Sequence, residues 1–257
     1  MIPWCDWIEA QWARGGSVNF IADALSGLHF YWPKLRGQLR TAWRLFKQWR
    51  RVEAPSRAPP ITVVLVRAIV CRAVEREELD FAVLIALGFH ALLRTGELLA
   101  LRFCDLDIDL RCGIVSLQAS KGGLRTGSKE AFAVRDACTL NLLDTLWICR
   151  RHFPGQKLWS HSAQAFRQQL QSYLHYFRLC HMGFKPYSLR RGGATLLLQQ
   201  GVPLEAILLR GRWKSVDVAR LYLEDGLAQL PCLRIPPNDL VRIQLYAFQS
   251  SSTAFQP

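Results

Sequence analysis

No two of the eight cysteines stand in the close paired spacing that a zinc site or a redox dithiol requires. Cys5, Cys71, Cys104, Cys112, Cys138, Cys149, Cys180 and Cys232 are scattered along the chain and read as buried thiols in a reducing compartment. No apolar run reaches the length of a membrane span, because the most hydrophobic stretches, such as ITVVLVRAIVCRAV, are interrupted by Arg67 and Arg72. No positive-then-apolar ramp marks the first residues, MIPWCDWIEAQWARGG, so no secretory signal is read there. No internal repeat is present. These absences predict a soluble, intracellular protein with no membrane partner, nuclear if its source is eukaryotic. Acid is scarce too: 20 Asp and Glu face 33 Lys and Arg, a net charge of +13. That imbalance favours a polyanionic partner, and by charge alone nucleic acid and an anionic membrane surface both fit.

What is present is enough for a core, since half of the 257 residues are hydrophobic. Residues 1–52 are rich in tryptophan and arginine and end at EAPSRAPP, where Pro55, Pro59 and Pro60 favour an extended connection. This predicts a first helical unit over 1–52, a linker over 53–60, a second domain over 61–226 and a tail over 227–257. The segment from Pro33 to Arg51 reads as one amphipathic helix, with Leu35, Leu39, Ala42, Trp43 and Phe46 at helical spacing. Arg36, Arg40, Arg44, Lys47 and Arg51 form an adjacent stripe, which is either a solvated basic face or a face that tracks phosphates.

Beyond the linker, residues 61–75 and 78–93 read as two helices apolar enough to pack in a core. The following stretch changes character, with β-prone runs at 114–118 and 131–134 joined by a glycine-rich basic connection. Helical patterns return at 138–152, 162–181, 189–200, 203–210 and 215–224. The tail reads as an extended arm with a short helix near 240–248. The predicted fold class is mainly α with a small β-hairpin sheet.

Two arginines stand in unusual settings: Arg94 in HALLRTGELLALRFCDLD and Arg191 in KPYSLRRGGATLLLQQG. An unpaired cation between apolar runs, as at Arg94, is costly. Arg94 is either a structural partner of Glu97 one helical turn away or a binder of an anion through its planar fork. Taken by themselves, Trp213 reads as a core indole and Tyr222 in VARLYLED as a buried helical tyrosine.

These segments resemble the two boxes of the tyrosine recombinase, or phage integrase, family. The first box is an arginine followed three residues later by an acid and a leucine, matched by Arg94, Glu97 and Leu98. The second opens with a His-x-x-Arg element, matched by Ser188 to Arg191, and continues into Gly192, Gly193, Ala194 and Thr195. It closes with a Gly-x-His/Trp element and a tyrosine nine residues on, matched by Gly211, Trp213 and Tyr222. Lys121 best matches the family lysine of the hairpin, with Lys129 in the same connection as its competitor; Arg190 reads as a surface arginine.

The resemblance covers 61–226 and, more weakly, 17–52. It implies a tyrosine recombinase-like catalytic domain preceded by a partial helical core-binding domain, with double-stranded DNA held between them. The implied chemistry is cleavage and rejoining through a 3′-phosphotyrosyl bond on Tyr222, with no metal or nucleotide cofactor. Arg94 and Arg191 would stabilise the phosphate, Lys121 would protonate the leaving oxygen, and Ser188 and Trp213 would complete the pocket. Self-association on DNA is implied as well. LSGL, LRGQLRTAWRLFKQW and PYSLRRGGAT resemble the mobile-element recombinases of eukaryotes. Ser188 departs from the family histidine, which keeps open a DNA-binding relic without cleavage; a type IB topoisomerase-like enzyme is the other rival.

Overall fold

The computed structural model describes residues 3–53, 58–109, 112–117, 130–150, 153–213, 215–216 and 234–252. The chain divides into two compact units, Met1–Arg57 and Ala58–Pro257. The division falls inside the proline-bearing 53–60 segment.

The first unit contains helices α1 (Pro3–Ala13), α2 (Val18–Tyr31) and α3 (Arg40–Val52). Its core is Ile8, Ile21, Leu25, Leu39, Ala42, Phe46 and Trp49. The carboxylate of Glu53 ties two indoles together, accepting from Trp49 Nε1 at 2.8 Å and Trp12 Nε1 at 3.0 Å. The single helix expected over Pro33–Arg51 is broken. Pro33–Arg36 forms a 3-10 turn, and the chain turns again through Gly37 before α3 begins. Glycine is a poor helix former, and a short 3-10 piece is a common lead-in to an α-helix.

The second unit is built around α5 (Leu79–His90), in which every residue from Phe81 to Phe89 is buried. A helix that is apolar on all sides must be covered on all sides. Helix α4 (Val63–Glu75), whose first turn is capped by Thr62 Oγ1 accepting from the Leu65 amide at 3.3 Å, packs along it. A short helix, α6 (Thr95–Leu98), follows, and then an antiparallel sheet of β1 (Leu106–Asp109), β2 (Cys112–Leu117) and β3 (Glu130–Val134) in the order β1-β2-β3. The register pairs Leu106 with Val115 and Val115 with Phe132. The expected hairpin is therefore β2 and β3, and β1 extends it. The alternation of Leu106 and Ile108 with aspartates carries β1, a pattern in which acids obscure a strand.

Among the described residues the chain continues through helices α7 (Ala137–Arg150), α8 (Ala163–Tyr176), α9 (Tyr187–Gln199) and α10 (Leu204–Gly211). Helix α9 lies against α5 at very close range. A Cβ on Gly192 would overlap the Ile61 carbonyl oxygen, and one on Gly193 would overlap that of Phe89. The helix expected near 240–248 is present and longer, as α11 (Pro237–Ser252), and it packs on α4 instead of belonging to an extended arm. Arg242 lies over the Tyr176 ring, 4.0 Å from its centroid, and donates to the Tyr176 carbonyl at 2.8 Å, while the hydroxyls of Tyr176 and Tyr246 are 2.8 Å apart. Among the described residues no helix is long and apolar enough to cross a membrane.

Candidate functional site

The site begins where α5 ends. The apolar pattern runs on through Leu92 and Leu93, but Leu92 takes the left-handed conformation, with φ of 51°. This turns the chain so that Arg94 becomes the N-cap of α6 instead of a residue inside α5. Glu97 holds the corner. Its carboxylate accepts from the Arg94 amide at 2.9 Å and from Arg94 Nη1 at 2.6 Å, and its other partner is Arg212, whose Nη2 lies 2.6 Å away. The Glu97 side chain is 8% exposed and that of Arg94 37%, so the guanidinium of Arg94 stands at the rim with the carboxylate beneath it.

Arg190 forms the floor. It lies in the first turn of α9 and is 1% exposed. Its guanidinium donates to the Leu92 carbonyl at 2.6 Å and to the Gly211 carbonyl, and it stacks 4.6 Å from the centre of the Trp213 ring. Burial pushes the Arg190 guanidinium down to about 10, and the neighbouring charges of Arg94 and Arg212 act in the same direction. It stays protonated near neutral pH. Three guanidinium groups thus crowd around one corner, with the Glu97 carboxylate held between Arg94 and Arg212.

Arg212 and Trp213 come from the end of α10. Arg212 sits in the left-handed region (φ 53°, ψ 42°), and the Trp213 amide reaches back to the Leu208 carbonyl at 3.0 Å. The Arg212 side chain, 10% exposed, also donates to the Leu92 carbonyl at 3.3 Å and lies 3.5 Å from Glu130 at the start of β3. Its guanidinium carbon is 5.4 Å from the centre of the Phe132 ring. Burial lowers its proton affinity, and Glu97 and Glu130 pull the other way.

The structure thus gathers Arg94 and Trp213 of the sequence-derived set with Arg190. Arg190 was expected at the surface and is buried instead. Arg191, one position on and about 100° further round the helix, donates from Nη1 to the Ala58 carbonyl at 2.7 Å. Ser188 is fully buried, and its Oγ accepts from the Lys185 amide at 3.1 Å, so its side chain secures the entry to α9. The residue three before Arg190 is Tyr187, half exposed and close enough for its phenol to bear on the Arg190 charge. Tyr187 to Arg190 and Ser188 to Arg191 are equal steps, and the described bonds of the two arginines go to different carbonyls, those of Leu92 and Gly211 for Arg190 and that of Ala58 for Arg191. Arg212 carried no signal in the sequence beyond its place between Gly211 and Trp213.

Lys121, Lys129 and Tyr222 lie outside the described residues. In the first unit, Arg40, Arg44, Lys47 and Arg51 are exposed on α3, while Arg36, also exposed, belongs to the preceding 3-10 turn. Among the described residues no group of three His, Cys, Asp or Glu is placed to hold a metal ion.

No protein-family model matches the chain, and no curated protein sequence does. Solved structures do match it in fold. The chain is similar to XerH site-specific recombinase bound to palindromic difH substrate in a post-cleavage complex, with a TM-score of 0.53 and 17% identity over 65% of this chain and 50% of that one. It is similar to XerH bound to difH substrate in a pre-cleavage complex, with a TM-score of 0.53 and 16% identity over 68% of this chain and 53% of that one. It is similar to XerA recombinase, with a TM-score of 0.54 and 15% identity over 84% of each chain. The chain spans about half the length of the XerH chains. At these identities the likeness is one of fold: a mainly helical unit with a three-stranded antiparallel sheet.

Proposed function

We propose that this chain carries the catalytic domain of a tyrosine recombinase, which cuts and rejoins duplex DNA through a 3′-phosphotyrosyl intermediate. The observation that carries the reading is the convergence of Arg94, Arg190 and Trp213, from three separate segments, on one cationic corner. Phosphoryl transfer without a metal needs fixed positive donors on the nonbridging oxygens, an in-line nucleophile and an acid for the leaving oxygen. Arg94 at the rim and Arg190 at the floor are the donors, and Trp213 walls the pocket. Tyr222 attacks the scissile phosphorus, the bond to the 5′ oxygen breaks, and Lys121 gives that oxygen its proton. The tyrosine–phosphate bond conserves the phosphodiester energy until a strand hydroxyl attacks it, so no metal or nucleotide takes part.

In this reading Arg190 takes the role first given to Arg191, and Tyr187 the position first given to Ser188; the support is the lodging of the Arg190 guanidinium between the Leu92 and Gly211 carbonyls against Trp213, where the charges of Arg94 and Arg212 bear on it. The fold likeness to XerH structures containing cleaved and uncleaved substrate supports duplex DNA as the partner. The basic face of α3 supplies backbone contacts from the helical core-binding unit, and the protein self-associates on DNA. A eukaryotic mobile-element origin rests on the phrases LSGL and PYSLRRGGAT.

One observation favours a second reading, a DNA-binding relic. Tyr187 stands where a histidine would share a proton near neutral pH, and a phenol does not ionise there. Covalent trapping separates the two. With a duplex selected for binding from a random-sequence pool and nicked at successive positions, wild type forms a denaturation-resistant adduct. Tyr222→Phe binds the same duplex and forms none. Binding by wild type without any adduct establishes the relic, and an undiminished adduct in Tyr222→Phe removes Tyr222 as nucleophile.

A further inference from the structure

Glu97 is an awkward neighbour for a phosphate-binding arginine. A carboxylate facing a guanidinium takes two parallel N–H bonds when both of its oxygens are free, and this fork-to-fork pairing occupies one whole edge of the arginine. Here that does not happen. One Glu97 oxygen holds Arg94 Nη1 at 2.6 Å; the other holds Arg212 Nη2 at 2.6 Å along with the Arg94 amide at 2.9 Å.

Arg212 is itself held from several sides, by the Leu92 carbonyl at 3.3 Å, the Glu130 carboxylate at 3.5 Å and the Phe132 ring. Two of the four described non-glycine residues with positive φ, Leu92 and Arg212, meet through this contact. Such backbone is kept where the surroundings over-determine it, and it clusters at functional sites. A guanidinium placed there is therefore not a free surface charge that happened to find an acid.

We propose that Arg212 is a positioning residue of the cleavage site: by occupying one oxygen of Glu97 it limits that carboxylate to a single-atom hold on the Arg94 guanidinium, which leaves the remaining donors of Arg94 directed at the scissile phosphate. The proposal rests on the recombinase reading above. Arg212 does not touch the phosphate in it. Its action passes through Glu97 to Arg94, and its ties to Leu92 and β3 fix the corner against which Arg94 is set.

A substrate that changes the charge to be stabilised tests this. A methylphosphonate at the scissile position replaces one anionic nonbridging oxygen with a methyl group, so the step depends less on a well-aimed Arg94. Single-turnover cleavage is measured on ordinary and methylphosphonate versions of the same selected, nicked duplex, for wild type, Arg212→Gln and Arg212→Lys, with DNA affinity and thermal unfolding recorded for each. Arg212→Gln is expected to lose about tenfold on the phosphate, less than the roughly hundredfold to thousandfold of removing an aimed donor outright, with DNA affinity held within about twofold because no phosphate contact is removed. The loss shrinks on the methylphosphonate. Arg212→Lys keeps a charge beside Glu97 but cannot span its partners, and it falls between the two.

Equal losses on both substrates overturn the proposal, because they mark a merely structural residue. No loss on the phosphate in either folded variant overturns it also. If Arg212→Gln does not fold, Arg212→Lys alone decides by the same comparison of substrates. Failure of wild type to cleave either substrate overturns the recombinase reading, and the proposal with it.

Discussion

Arg190 and Arg191 differ by one position and by everything around them. Arg190 points into the corner that holds Arg94 and Trp213, whereas Arg191 points to the Ala58 carbonyl where the second unit begins. If the corner stabilises a developing phosphate charge, Arg190→Ala should reduce single-turnover cleavage by about a hundredfold to a thousandfold, the range for removing one preorganised donor. Arg191→Ala should chiefly lower thermal stability, because it removes a buried side chain bonded to the backbone. Measuring rate and thermal midpoint for both variants checks the assignment; a larger rate loss in Arg191→Ala would restore the earlier one. That Arg94 and Trp213 are placed at one corner accords with the fixed offsets at which they stand from Glu97 and Gly211 in the sequence. The placement of Arg190 there was not legible, because two overlapping steps of three residues fit the sequence equally well.

Among the elements, the helices were legible wherever an apolar face is broken by polar residues, as in α3 and α8. The end of α5 was not. Leu92 and Leu93 continue its apolar pattern, so nothing in the sequence announces the left-handed turn that aims Arg94. The strand β1 was hidden for the opposite reason, since its aspartates disguise an ordinary alternation. In α3 the buried residues Ala42, Phe46 and Trp49 occupy one side, and Arg40, Arg44, Lys47 and Arg51 are exposed at helical spacing on another. If this face lies along a DNA backbone, changing Arg40, Arg44 and Lys47 to glutamine should flatten the log–log salt dependence of binding by about two to three units, near 0.9 per neutralised phosphate. Binding isotherms across a range of salt concentrations measure it, and an unchanged slope returns the stripe to a solvated face. Arg36 sits apart on its own turn and is best changed separately.

For the whole molecule, composition and charge pointed to a helical protein with a polyanionic partner, and the proline-bearing segment at 53–60 contains the boundary between the two units. The tail was the least legible part at this scale. Its helix α11 is fixed by Arg242, Tyr246 and Ile243 against residues far earlier in the chain, and no local pattern foretells a partner such as Tyr176. The cationic corner serves cleavage only if a tyrosine elsewhere in the chain attacks the phosphate it holds. The most direct measurement is to trap the protein on a selected, nicked duplex, digest the adduct, and identify by mass spectrometry the peptide that carries the nucleotide while labelling the released DNA end. The expected result is a phosphodiester on the peptide containing Tyr222, joined to a 3′ end, with a free 5′-hydroxyl on the released strand. A nucleotide on any other residue, a linkage to a 5′ end, or bound DNA with no covalent peptide at all would contradict it.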